Sequence, residues 1–261
     1  MRALDIASTG MAAQQTRVET ISNNLANMST TAYNPRRAEF ADLHYQQVRQ
    51  PGAVNAANGS VLPTGVQQGL GVRAAAISMD VTQGALRQTG GDLDIAIEGD
   101  GYLEVELPSG VSAYTRDGAL KRTGDGLIVT SEGYSLIPEI TIPEDARSVS
   151  INADGEVSAM FNDQVNAQSL GRLTLVSFVN DKGLEAIGGN LFRETAASGA
   201  PNVGDAGTDG RGSFRQGFLE ESGVDPVREI TELIQAQRGY EMNAKVITAA
   251  DQMLSATVQI R

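Results

Sequence analysis

Apolar residues recur in steps of three and four at both ends of this chain, and in steps of two through its middle. From Val227 to Val258 there is no proline and one glycine, Gly239. Ile230, Leu233, Tyr240, Ala244, Ile247, Leu254 and Val258 mark a stripe there, interrupted at Gln237 and Asp251. A seam held through four heptads predicts a long helix that buries one stripe against other helices. Asp225-Pro226 starts it, with Asp as a cap acceptor and Pro at the first helical position. At ~1.5 Å per residue such a helix runs roughly 50 Å, long enough to need partners.

The amino end mirrors this pattern. Leu4, Ala7, Met11, Gln14, Val18, Ile21, Leu25 and Met28 alternate steps of three and four, and of these only Gln14 is polar. They predict a second amphipathic helix with a coiled-coil seam. Gly10 within it costs about 1 kcal/mol relative to alanine, and Asn34-Pro35 ends anything helical. Asn23, Asn24 and Asn27 cluster near its end, although asparagine is a poor helix former. They either cap a fraying end locally or, lying one turn apart at 23 and 27, bond neighbouring helices in an assembly.

Residues 36–50 carry weak anchors at Phe40, Leu43 and Val48 and are expected to be partly helical. Gln50 to Val72 holds no charge, five glycines and two prolines, which predicts a long loop or extended arm. From about Leu93 to Glu220 the period becomes two, as in Leu93–Ile97, Tyr102–Leu107 and Leu173–Phe178. Turns such as Gly99-Asp100-Gly101, Asp117-Gly118 and Asp154-Gly155 separate these runs. Many short strands with Gly/Asp turns predict an antiparallel β domain, barrel- or sandwich-like. The expected class is therefore α+β, with paired terminal coiled-coil helices and an inserted β domain. Its expected parts are a terminal helical domain over 1–35 and 224–261, a linker and arm over 36–85, and a β-rich outer domain over 86–223.

Charge sharpens that division. The net charge is −12, with residues 1–50 at +1 and residues 225–261 at −1, so the acidic excess lies wholly in between. Such a balance speaks against nucleic acid or an anionic membrane as partner. Cysteine is absent, so thiolate nucleophiles, disulfides and sulfur metal sites are impossible. Polar residues follow Met1-Arg2 at once, without the apolar run of a cleavable signal peptide, and no stretch of eighteen apolar residues occurs. The one histidine, His44, sits in a polar stretch without a nucleophile elbow. An EF-hand loop counted from Asp92 fails at Ile97 and Leu103. No spacing singles out a carboxylate pair, so no catalytic, cofactor or metal residue is assigned. A cell-wall-cleaving enzyme and a coiled-coil-tethered adhesin or scaffold are the competing classes.

Specific motifs carry a resemblance. Gln14-Gln15 followed by Ile21-Ser22-Asn23-Asn24-Leu25-Ala26-Asn27, and Glu232 to Lys245 with Asp251-Gln252-Met253-Leu254, resemble the paired terminal signatures of the axial proteins of the bacterial flagellum. Asp94 to Tyr102 and Tyr114-Thr115-Arg116-Asp117-Gly118 are similar to that family's β-domain motifs. Length and the segment Phe40–Val72 are most like the distal rod branch, rather than hook or proximal rod. The chain departs from the family at Tyr33-Asn34-Pro35-Arg36, at Tyr102-Leu103 and at Gly223.

The resemblance implies a structural subunit of the distal rod, not an enzyme. Copies would stack helically into a rigid hollow tube, with terminal helices lining an export channel and the β domain outward. The tube would transmit motor torque across the periplasm to the hook, and the chain would leave the cell through the flagellar type III apparatus. Implied partners are the chain itself, proximal rod proteins, the hook protein and the surrounding P and L ring proteins. The expected assembly residues are Leu4, Met11, Val18, Ile21, Asn23, Asn24, Leu25, Asn27 and Met28 at the amino end. At the carboxyl end they are Ile230, Leu233, Gln237, Tyr240, Asn243, Ile247, Asp251, Leu254 and Val258.

Overall fold

A computed structural model describes residues 2–49, 64–161 and 166–259, with side chains in the last stretch as far as residue 256. Residues 50–63 of the uncharged arm lie outside the described residues, as does the side chain of Val258. The chain divides into two compact units. One combines Met1–Ala26, Arg36–Met79 and Asp225–Arg261, and the other Asn27–Pro35 with Asp80–Val224.

The first unit holds both terminal helices, α1 (Arg2–Ala26) and α2 (Pro226–Gln259). Asp225 caps α2 as its Asp-Pro start predicts, its Oδ1 accepting from the amides of Val227 at 3.0 Å and Arg228 at 3.3 Å. Helix α1 stops at Ala26, two residues short of the end of the predicted stripe, so Asn27 and Met28 fall in the turn that follows. That turn closes by a bond from the Thr30 amide to the Asn27 carbonyl, and Ala32 then takes a positive φ of 51°.

Residues 36–49 form strands, not the partial helix expected. Strand β1 (Arg36–Asp42) and β2 (Tyr45–Arg49) pair antiparallel with β4 (Val72–Met79) and β3 (Val66–Gly69), as one bent hairpin. Two irregularities hid the alternation: a register shift between Glu39 and Phe40, and another between Gln47 and Arg49. Each shift moves later side chains to the other face, so apolar positions recur at no single period. His44 lies exposed at the bend between β1 and β2.

The second unit is built on β5 (Leu86–Gln88), β6 (Ile95–Glu98), β7 (Leu103–Glu106), β8 (Ser112–Thr115), β9 (Lys121–Arg122), β10 (Ile128–Val129) and β11 (Ser135–Ile137). Its main sheet runs Glu185–Gly188, Leu191–Arg193, β8, β7, β11, β10, β9, with every pairing antiparallel. A three-stranded sheet spans Ala146–Ile151, Glu156–Phe161 and Gln168–Arg172. Two-stranded ladders join Ser213–Gln216 to β6 and Phe218–Glu220 to β5. Alternate residues of these strands, including Ile95, Ile97, Leu103, Val105, Ile128, Leu136, Val157 and Leu175, fill one apolar core. The strands are as short as the Gly/Asp turns predict, and terminal helices flank this β-rich region in the sequence.

Candidate functional site

The motifs that stand out in the sequence fall on α1 and α2, and these helices pack against each other antiparallel. Four contacts fix the direction. A Cβ built on Gly10 would lie 2.8 Å from Asn243 Nδ2, and one on Gly239 would lie 3.1 Å from Gln14 Cδ. Arg17 Nη2 reaches Glu232 Oε2 at 3.3 Å, and Asn24 Nδ2 reaches Glu229. Rising numbers on α1 meet falling numbers on α2.

These contacts define which half of α2 is covered. Ala236 and Ala250 are buried, with Leu233, Asn243, Ile247 and Leu254 half-buried beside them. The covered stripe is thus 229, 233, 236, 243, 244, 247, 250 and 254; it keeps the predicted Leu233, Ala244, Ile247 and Leu254 and takes in 229, 236 and 250 in place of Ile230, Gln237 and Asp251, a rotation of one residue there. Gln237 and Asp251 are not gaps in it, because both point outward and are exposed. Small residues explain the rotation. Ala236, Ala250 and Gly239 let α1 approach closely, where the larger Ile230 and Tyr240 would hold it away. The lone glycine of α2 is where the Gln14 side chain sits, and Gln14 Oε1 is buried there without a bonding partner.

On α1, Ile21 is buried with Ala7 and Ala13, while Leu4, Met11, Val18 and Leu25 are half-buried. Asn24 is buried and bonded within its own unit to Arg36 and Glu229, whereas Asn23 is exposed. Glu232 bridges Arg17 and Arg228, the latter at 3.3 Å. Burial raises its carboxyl pKa, but the two guanidiniums outweigh that and leave it below the ordinary glutamate value.

The other side of α2 carries large apolar side chains among its polar ones. Val227, Ile230, Ile234, Tyr240, Met242, Val246 and Met253 are 44–74% exposed. A helix serving one core alone carries polar residues on its outer face, so this second stripe is a candidate contact surface. Among the described residues no helix is long and apolar enough to cross a membrane.

The β unit holds a buried ion pair that pattern reasoning missed. Arg116 Nε donates to Glu220 Oε2 at 3.0 Å, and both side chains are less than a tenth exposed. Its Nη1 and Nη2 donate to the carbonyls of Gly101 at 3.0 Å and Gly99 at 3.1 Å. Glu220 Oε1 in turn accepts from the Gly84 amide at 2.9 Å. Gly99 and Gly101 hold φ of 108° and 140°, which side-chain-bearing residues seldom adopt, and this turns their carbonyls to the guanidinium. The two glycine-bearing motifs are therefore halves of one contact. Burial raises the Tyr102 hydroxyl pKa and the nearby Asp181 carboxylate adds to it; burial, then Asp100, raises Asp181 itself.

Three family models match the chain. "Flagella basal body rod protein" matches residues 4–33, "Flagellar hook protein FlgE/F/G D1 domain" residues 96–159, and "Flagellar basal body rod FlgEFG protein C-terminal" residues 215–260. The flagellar basal-body rod protein FlgG of Agrobacterium fabrum is 49% identical over 255 residues, covering 98% of this chain and 97% of the relative. That of Caulobacter vibrioides is 49% identical over 261 residues, covering 100% of both. That of Bacillus subtilis is 37% identical, covering 100% of this chain and 99% of the relative.

Proposed function

This chain belongs to the flagellar basal-body rod protein family, and we propose from that premise that its helix pair is the self-associating core of a hollow helical polymer. It is a structural subunit of the distal rod. The single observation that carries the polymer reading is the set of large apolar side chains on the outer side of α2, from Val227 to Met253, exposed in one copy. Other copies bury that side, and the α1–α2 contact becomes one element of a coiled-coil layer around a channel.

In this reading residues 1–35 and 224–261 form the inner layer, 36–85 the arm and 86–223 the outer domain. The hairpin bridges neighbouring subunits, and the acidic β domain faces the proximal rod, hook and ring proteins. Torque passes along the tube, and export proceeds through the flagellar type III apparatus. The outward Ile230, Gln237, Tyr240 and Asp251 contact other copies directly, whereas Leu25, Leu233, Ile247 and Leu254 act by holding the pair that presents them.

Electron microscopy of the purified chain, concentrated until it polymerises, tests the proposal. The expected result is a straight hollow tube with two concentric helix layers at its centre. Discrete particles at every concentration, together with intact basal bodies in cells deleted for the chain, would refute it.

A further inference from the structure

The stripes that α1 and α2 turn to each other are two versions of one pattern. A constant shift of 229 carries Leu4 to Leu233, Ala7 to Ala236, Gly10 to Gly239 and Leu25 to Leu254, each pair identical. The same shift carries Gln14 to Asn243, both primary amides, and Val18 to Ile247, both β-branched. Burial repeats as well. Ala7 and Ala236 are buried, as are Ile21 and its counterpart Ala250, and Leu4, Gln14, Val18 and Leu25 are half-buried like their counterparts.

The contact keeps that relation. Gly10 lies against the Asn243 amide and Gly239 against the Gln14 amide, so each glycine receives the side chain that stands four residues after the other. Facing residue numbers add to 253 in both contacts, 10 with 243 and 14 with 239, and again for 24 with 229. Antiparallel helices that share one stripe and one register have a local two-fold axis, the geometry of an isologous interface. A surface of this kind also fits α1 against α1 or α2 against α2, and apolar packing alone does not choose among the three. Two polar contacts break the symmetry: Arg17 Nη2 meets Glu232 Oε2 at 3.3 Å, and Asn24 Nδ2 donates to Glu229 Oε2 at 3.2 Å. The counterparts of Arg17 and Asn24 on α2 are Val246 and Met253, and that of Glu232 on α1 is Ala3. Two α2 helices in this register would set Glu232 against Val246 and Glu229 against Met253, and two α1 helices would set Arg17 against Ala3. Glu229 is 8% exposed, so like pairing of α2 leaves a buried carboxylate without the Asn24 amide.

We propose that α1 and α2 carry one self-complementary stripe, and that the contacts of Arg17 with Glu232 and Asn24 with Glu229 are what pair unlike helices where the ends of several copies meet. The stripe supplies the attraction and the register, and the two polar contacts supply the choice of partner. The proposal rests on the polymer reading, because only there do helix ends of different copies compete for one another. It holds equally for a pair made within one copy and for a pair exchanged between two.

Disulfide trapping in the concentrated full-length chain tests this, since the sequence has no cysteine of its own. Gly10→Cys with Asn243→Cys reports unlike pairing, as a looped monomer or a linked dimer on a non-reducing gel. Gly239→Cys with Asn243→Cys reports like pairing of α2, where positions 239 and 243 of two copies would face each other, and only as a dimer. Both reporters are read with and without Glu229→Ala and Glu232→Ala. With the two glutamates present, the unlike link should form and the like dimer should not. Without them, the like dimer should rise about tenfold or more at the expense of the unlike link. Like dimers as abundant as unlike links with the glutamates in place would overturn the proposal. So would no gain of like dimers on their removal, whether the unlike link persists or is lost. Links are read in sediment and supernatant alike, so absence of tubes refutes the polymer reading while the ratio of links still judges this one.

Discussion

Ile234→Asp separates the two faces of α2. Ile234 is 45% exposed in the single chain, so about half of the ~1.5–3 kcal/mol from fully burying isoleucine is realised before any assembly. Replacing it costs the isolated molecule roughly 1 kcal/mol, with a few tenths more for the poorer helix propensity of aspartate. When other copies cover the face, the substitution forfeits the remaining half and leaves a carboxylate against apolar surface, a cost of several kcal/mol per subunit. Because a loss of about 2.7 kcal/mol is a hundredfold in affinity, a tube of such subunits should not form at concentrations that suffice for the unaltered chain.

Ile247→Asp is the control, because Ile247 is half-buried on the covered side of α2. It should open the helix pair itself, lowering helical circular dichroism while leaving the β unit folded, and Leu25→Asp should do the same from α1. Ile234→Asp should keep the monomer's helicity, lower its denaturant midpoint only by what roughly 1 kcal/mol accounts for, and lose polymerisation, with a loss of motility when it replaces the chromosomal copy. Tubes formed by Ile234→Asp at the ordinary concentration would refute the two-faced reading. Equal loss of helicity in Ile234→Asp and Ile247→Asp would refute it as well.

Within the β unit, Arg116→Ala strands the Glu220 carboxylate and two glycine carbonyls, and should cost about 3–5 kcal/mol in urea unfolding; a loss below about 1 kcal/mol would show the pair to be dispensable. Gly118→Ala drives a Cβ into the Ile95 carbonyl oxygen, while the Ile95 amide is bonded to the Gly118 carbonyl at 3.0 Å. The two strands cannot part without losing that bond, so destabilisation by about 3 kcal/mol is expected in the same assay. Acid should act on the two units with opposite sign. The depressed Glu232 carboxyl supports the helix pair above the ordinary glutamate range, and its support is lost as pH falls through the depressed value. Burial raises the Asp117 carboxyl, so its charge opposes folding of the β unit at neutral pH and stability is regained as pH falls through the raised value. Circular dichroism followed alongside tyrosine fluorescence over a pH titration would separate the two, and a common acid transition would contradict the assignment.

What could be seen in the sequence follows from the range of the contacts involved. The Gly/Asp turns and alternating strands were legible because a turn is decided by a few adjacent residues. The bond between Arg116 and Glu220 was not, because the partners lie 104 residues apart and neither carries a local signal. The hairpin at 36–49 was hidden by its two register shifts. The misplacement of the α2 seam has a different cause. Counting large apolar residues joined Leu233, Ile247 and Leu254, which face α1, to Ile230, which faces away, and to Tyr240, which stays 44% exposed at the edge of the covered stripe. A helix with one core to cover offers a single stripe to such counting, and polar residues mark the rest. Here two stripes overlap in the count, and the positions closest to α1, Ala236, Gly239 and Ala250, are too small to register in it. The apolar pattern of α2 therefore mixes the stripe that faces α1 with side chains that a single chain leaves exposed, and counting by size alone does not separate the two.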